Sequence, residues 1–247
     1  MHEDLPSLRV EYGTDGFAEA DAGADPMALF AAWLEAARGV ETDREANAMT
    51  LATVGAGGVP SARMVLLKGI DPTDARFTWF TNLDSRKGLE VAANPLAALC
   101  WWWPAAGDVP GRQVRAVGRV VQLDRAASAT YFDSRPIGAR IGAAASHQSR
   151  AVPDRAALDA RAAALTEPVR IPERWGGLQL VADELEFWQG RSGRLHDRVS
   201  FLRVDDMGRP RSEAAIAAAG GLDQLEAAAL RVTDAAGTSW LRARLEP

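Results

Sequence analysis

LAALCWWW at 96–103 and RQVRAVGRVVQL at 112–123 decide the fold class. In the second stretch Val114, Ala116, Gly118 and Val120 alternate with Arg115, Val117 and Arg119, which is the period of two of a β-strand. Strand-like runs lie on either side. AMTLATV (48–54) leads through GAGGVP into SARMVLLK (61–68), FTWFT follows at 77–81, and LQLVADELEFWQ, SFLRV and SWLRARL come later. Consecutive strands with tight links predict an antiparallel barrel. GAGG lacks the Lys-Ser/Thr ending and the following helix of a phosphate loop, so it reads as a hairpin turn.

Helices frame this β-rich middle. Asp25-Pro26 supplies an N-cap and a first-turn proline, and Leu29, Phe30, Trp33, Leu34 and Ala37 then recur at helical spacing up to Gly39. Residues 124–166 turn helical again, broken by Pro136 and Pro153. The whole, 1–247, reads as a single domain that is mainly β with flanking helices. It has an N-terminal helical segment (1–40) and an insertion at 205–238, polar at first and then alanine-rich and helical.

Composition narrows the function. Asp and Glu number 33 against 28 Lys and Arg, a net charge of −5, so there is no broad basic face for nucleic acid. No apolar run approaches the roughly 20 residues that cross a bilayer, and MHEDLPS has no export signature. The expectation is a soluble cytoplasmic protein, and the single cysteine, Cys100, suits a reducing compartment. Three histidines without HExxH or paired cysteines argue against a metal site, and no GxSxG marks a hydrolase.

What remains is local positive charge. In FTNLDSRKG, Asp84 or Ser85 can cap a helix whose first turn carries Arg86 and Lys87, where the helix dipole disfavours cations. A docked phosphate would explain them, and so would a solvated charge pair. Arg63 and Lys68 lie five apart, on opposite faces of a regular strand, so only a bulge or twist would let both meet one ligand. EFWQGRSGRLHDR (186–198) concentrates Arg191, Arg194, Arg198 and His196 beside Trp188, as an anion site or as a surface ion-pair cluster.

EANAMTLATV, RMVLLK, FTNLDSRKG, RQVRAVG, YFDSRP, HQS, WGG, EFWQG, RLHDR and the terminal RLEP, in that order, resemble the pyridoxamine 5′-phosphate oxidase family. The resemblance implies a Greek-key split β-barrel of the FMN-binding type, a homodimer with FMN at the subunit interface. It implies cofactor contacts from Arg63, Met64, Val65, Leu66, Lys68, Phe80, Thr81, Arg86, Lys87, Gln113, Gln148, Ser149, Trp188 and Arg198. The substrate's phosphate would meet Lys68, Tyr131 and Arg135, and Arg194 and His196 would act at its reacting face. Arg9 and Tyr12 would belong to a segment covering the pocket. The implied reaction moves a hydride from substrate to flavin, with dioxygen reoxidising it to peroxide. Position 139, usually serine in this family, is Ala139. That departure and the insertion keep open a related flavin oxidase of phenazine-type secondary metabolism, or a non-catalytic pyridoxal-phosphate or flavin binder.

Overall fold

A computed structural model describes residues 12–14, 16–40 and 45–247 of this protein. Two helices come first, α1 (Glu19–Ala22) and α2 (Pro26–Arg38), followed by strands β1 (Ala48–Val54), β2 (Pro60–Leu66), β3 (Gly69–Asp71) and β4 (Arg76–Asn82). Helix α3 (Arg86–Ala93) leads to β5 (Leu96–Trp103) and β6 (Arg112–Gln122). Helices α4 (Arg125–Ser134), α5 (Ile137–Ala145) and α6 (Arg155–Ala163) precede the long β7 (Trp175–Gln189). The chain ends with β8 (Asp197–Arg203), α7 (Glu213–Ala218), α8 (Leu222–Ala228), β9 (Leu230–Thr233) and β10 (Ser239–Arg244).

Every pairing is antiparallel. β2 pairs β1, β1 pairs β5, β5 pairs β6 and β6 pairs β7, while β7 also pairs β4 and β4 pairs β3. Because β3 follows β2 after only Leu67 and Lys68, the ladder closes on itself as a barrel. On its other edge β7 pairs β4 with its first half and β8 with its second, and β8 continues through β10 to β9. This is the split: one edge of a fifteen-residue strand exchanges β4 for β8 while its other edge stays on β6.

Strand periodicity sets which side chains fill the barrel. In β5, Ala97, Leu99, Trp101 and Trp103 are buried while Trp102 points outward, 45% exposed, so three consecutive tryptophans do two different jobs. The Asp25 carboxylate caps α2 by accepting from Met27 and Ala28 N–H, and Pro26 starts it. Its buried face then plugs the barrel, with the Phe30 ring 4.9 Å from Phe77 and 4.8 Å from Trp101. Among the described residues no helix is long and apolar enough to cross a membrane.

Residues 205–238 contain a strand that the alanine-rich pattern conceals. After α7 and α8, Leu230–Thr233 turns back through Asp234, whose carboxylate accepts from Thr238 N–H at 2.8 Å, to pair with β10. The two helices cover a small cluster of their own built on Leu202, Val204, Leu225, Leu241 and Ala243.

β6 shifts register against β7 between Val117 and Gly118, and a Cβ on Gly118 would overlap the Val181 carbonyl. Gly118→Ala is therefore expected to lower unfolding free energy by about 1–3 kcal/mol or more, the cost of forcing atoms into a filled site. Gly57→Ala, with open space around it, should stay within about 0.5 kcal/mol. Denaturant midpoints of the two variants check this.

Candidate functional site

A pocket of about 240 Å³ opens where β2 and β4 face α4. β2 ends at Leu66, and the Lys68 N–H donates to the Thr78 carbonyl at 2.8 Å, so Lys68 escapes the strand alternation. That break brings it to the pocket with Met64, Val65 and Leu66. One wall is aromatic. Phe80 stacks on Tyr131 at 3.9 Å and on Trp175 at 5.3 Å, and the rings lie nearly parallel because Gly177, opposite Phe80, has no Cβ to push into them. The Arg135 guanidinium sits over Trp175 at 5.1 Å, and its Nη1 is buried without a hydrogen-bond partner. Burial lowers its pKa. Burial also raises that of Tyr131, against the pull of Arg135.

Thr81, Gln148 and Lys87 continue the pocket toward α3. Ser85 caps that helix, its hydroxyl accepting from Gly88 N–H, which leaves Arg86 and Lys87 in the first turn. The Lys87 ammonium is buried and donates only to neutral oxygens: Gln148 Oε1 at 2.6 Å, Thr81 Oγ1 at 3.2 Å and Ser85 Oγ at 3.4 Å. Burial first, then the nearby Arg63 charge, push its pKa down to about 8, with Glu90 pulling the other way. Glu90 balances the other two cations. Its carboxylate accepts from Thr53 and Ser61 (both 2.6 Å), Arg86 (2.8 Å) and Arg63 (3.1 Å). Burial opposes its charge, but those hydrogen bonds outweigh burial and hold it at about 2.

A second group of expected residues lies elsewhere. Gln113, Trp188 and Arg198 stand side by side in register across β6, β7 and β8, with Trp102 next to Gln113. The Trp188 ring is 4.7 Å from His196 and 5.7 Å from Tyr12. Tyr12 fits because Gly190 and Gly111 leave a slot: a Cβ on Gly111 would sit 2.9 Å from its ring, and one on Gly190 would overlap it. His196 Nδ1 accepts from the Arg191 N–H at 3.1 Å, leaving the ring proton to Nε2. Burial, then the Arg194 charge, lower its pKa, against a smaller pull from Asp197. Arg198 is already engaged, bonding Glu186 at 3.2 and 3.0 Å and the Glu246 carbonyl at 2.7 Å.

The two groups do not meet within one chain. Phe80 pairs with Gly177 near one end of β7, and Gln113 pairs with Trp188 near the other. Eleven residues of strand separate them, about 36 Å of chain contour at roughly 3.3 Å per residue. Arg63 faces Glu90 rather than the pocket of Lys68, and Ser149 lies with Arg86, Glu90 and Gln148 around a neighbouring hollow of about 440 Å³. Arg9 lies outside the described residues. Ser149 (φ 73°) and Arg194 (φ 65°) hold left-handed backbone conformations that cost non-glycine residues free energy. Sequence reasoning gave no role to Glu90 or Trp175, and it read Trp101 to Trp103 together as core and dimer-interface residues. Trp175 was in view within WGG, but nothing in a lone carboxylate at 90 announces that three separate elements converge on it.

Residues 36–167 match the family model described as pyridoxamine 5′-phosphate oxidase, and residues 175–247 match the pyridoxine 5′-phosphate oxidase C-terminal dimerisation region. The chain is 46% identical over 214 residues to a pyridoxine/pyridoxamine 5′-phosphate oxidase of Pseudomonas putida, covering 83% of this chain and 95% of that one. Its structure resembles PhzG from Burkholderia lata, solved with tetrahydrophenazine-1-carboxylic acid, at TM-score 0.73 and 26% identity, covering 95% of this chain and all of the other. An FMN-binding protein of Nostoc punctiforme shares the fold at TM-score 0.58 and 19% identity, over 74% and 92% of the two chains.

Glu90 contributes stability above its unfolded value of 4.5, and that stability is lost as pH falls toward about 2. Glu90→Ala is expected to cost about 2–3 kcal/mol at pH 7, below the roughly 3–5 kcal/mol of a fully buried pair because Arg86 is largely exposed. The deficit should shrink across that acid range, as denaturant titrations at stepped pH would record.

Proposed function

Because this chain belongs to the pyridoxamine 5′-phosphate oxidase family, a family of FMN-dependent oxidoreductases, we propose that it oxidises pyridoxamine 5′-phosphate or pyridoxine 5′-phosphate to pyridoxal 5′-phosphate, with dioxygen as acceptor. The observation that carries this reading is the pairing of a phosphate-ready helix start with an uncommitted cation pocket. Lys68 and Arg135 line that pocket, and among the described residues neither makes a side-chain hydrogen bond or ion pair.

The residues suit FMN. Arg86 and Lys87 at the α3 N-terminus, with Arg63 close by, are where a phosphate would settle, and Lys87 has only neutral oxygens to hold its buried charge. A dianion there would restore the lysine's proton affinity, so cofactor binding should weaken as pH rises past about 8. The pocket of one chain, about 240 Å³, falls below the roughly 300 Å³ where small-molecule sites usually begin. The second group of residues supports a completed site in a homodimer, with Gln113, Trp188, Arg198, Arg194 and His196 contributed by the partner copy. The dimerisation-region match at 175–247 supports the same arrangement.

When bound, FMN supplies the two-electron chemistry. The chain's own residues supply placement. Lys68, Tyr131 and Arg135 would hold the substrate's phosphate beside the Phe80–Trp175 wall. His196, kept neutral and carrying its proton on Nε2, would donate to a substrate oxygen, and Arg194 would steer the reacting carbon. Tyr12, seated against Trp188 and His196, would help exclude water. The half-buried Cys100 suits a reducing cytoplasm as the setting.

The likeness to PhzG, together with Ala139, supports a second reading: an oxidase of a phenazine-type acid. Peroxide release on adding pyridoxamine 5′-phosphate, with anaerobic bleaching of the flavin, supports the vitamin reading. Bleaching by a phenazine-type acid alone would replace it. Arg194→Ala is expected to lower turnover by about 10²-fold or more while leaving FMN content intact. Arg86→Ala combined with Lys87→Ala should instead yield largely flavin-free protein, measured by absorbance after gel filtration.

A further inference from the structure

We propose that Arg140 is a phosphate-binding, specificity-determining residue. This rests on the substrate reading above and deepens it. The N–H groups of Ala139 and Arg140 both donate to the Pro136 carbonyl, at 2.9 and 3.1 Å, so residues 136–140 form the first turn of α5 directly after Arg135. Ile137 and Ile141, one turn apart, dock that turn onto the Phe132–Trp175 cluster, which also carries Phe80 and Tyr131 of the pocket wall. The turn is thereby fixed beside the pocket.

Arg140 is half-buried there, and its Nε is enclosed without a partner. Among the described residues, Arg135 and Arg140 are the two arginines that hold a buried, unpartnered nitrogen while making no side-chain hydrogen bond or ion pair at all. Arg174 and Arg203 also have a buried unpartnered Nε, but their other nitrogens bond the Ala144 carbonyl and Asp74. A buried guanidinium without an acceptor is costly, and two within six residues, flanking an uncapped helix start, point to one shared anion. Lys68 adds a third uncommitted cation. Three positive charges match a phosphate monoester dianion better than a single carboxylate, so Arg140 favours phosphorylated substrates.

The test uses FMN-loaded protein titrated with pyridoxal 5′-phosphate and with pyridoxal, followed by absorbance. Arg140→Ala is expected to weaken pyridoxal 5′-phosphate binding by about tenfold or more, the worth of one hydrogen bond to a charged group. Pyridoxal affinity and FMN content should not move. Arg140→Gln, which preserves most of the side chain's bulk, should behave as the alanine variant does. Unchanged pyridoxal 5′-phosphate affinity in Arg140→Ala, or an equal loss for both ligands, would overturn the assignment. A wild-type protein that does not prefer the phosphorylated ligand would instead remove the substrate reading beneath it.

Discussion

The length of β7 is the constraint on which the rest depends. One edge of this fifteen-residue strand stays on β6, while the other pairs β4 along its first half, completing the barrel, and β8 along its second, leading on to β10 and β9. The bulge at Gly118 accommodates the change, since only a residue without a Cβ lets β6 pass that close to Val181. The same strand carries two chemically distinct neighbourhoods at its two ends. A small-molecule site that needs both cannot be assembled by one copy, which is the physical reason a dimer enters the functional proposal.

Charge is apportioned with comparable economy. The cations near α3 are held by Glu90, whose four hydrogen bonds keep it ionised in a buried place, while Lys87 is left with neutral partners and a lowered pKa. Along the outward face of β6, β7 and β8, Glu186 holds Arg115 at 2.8 Å and Arg198 at 3.0 Å. These pairs fix where cations stand without a ligand. Among the described residues Lys68, Arg135, Arg140 and Arg194 have no such counter-ion, which leaves them ready to meet an anion. The strained backbone at Arg194 fits that division, because a left-handed arginine persists only where the surrounding structure holds it.

Period-two alternation in 112–123 and tight links between consecutive strand-like runs predicted the antiparallel barrel, and Asp25-Pro26 the start of an amphipathic helix, because strand periodicity and helix capping are local rules. The family's motifs told which residues to examine, since they occur in order along the chain. The motifs implied that Lys68 shares a ligand with Met64, Val65 and Leu66, but neither source could say that a two-residue gap between β2 and β3 brings it there, or that Trp102 turns out while its neighbours turn in beside α2. The strand at 230–233 was hidden for a related reason: its alanine-rich surroundings favour helix, and only pairing with β10 overrides them. Above all, convergence on Glu90, the partnerless state of Arg135 and Arg140, and the separation of two residue groups along β7 are relations between segments distant in sequence. Tertiary packing decides them, because a hydrogen bond or its absence depends on what the fold brings within about 3 Å.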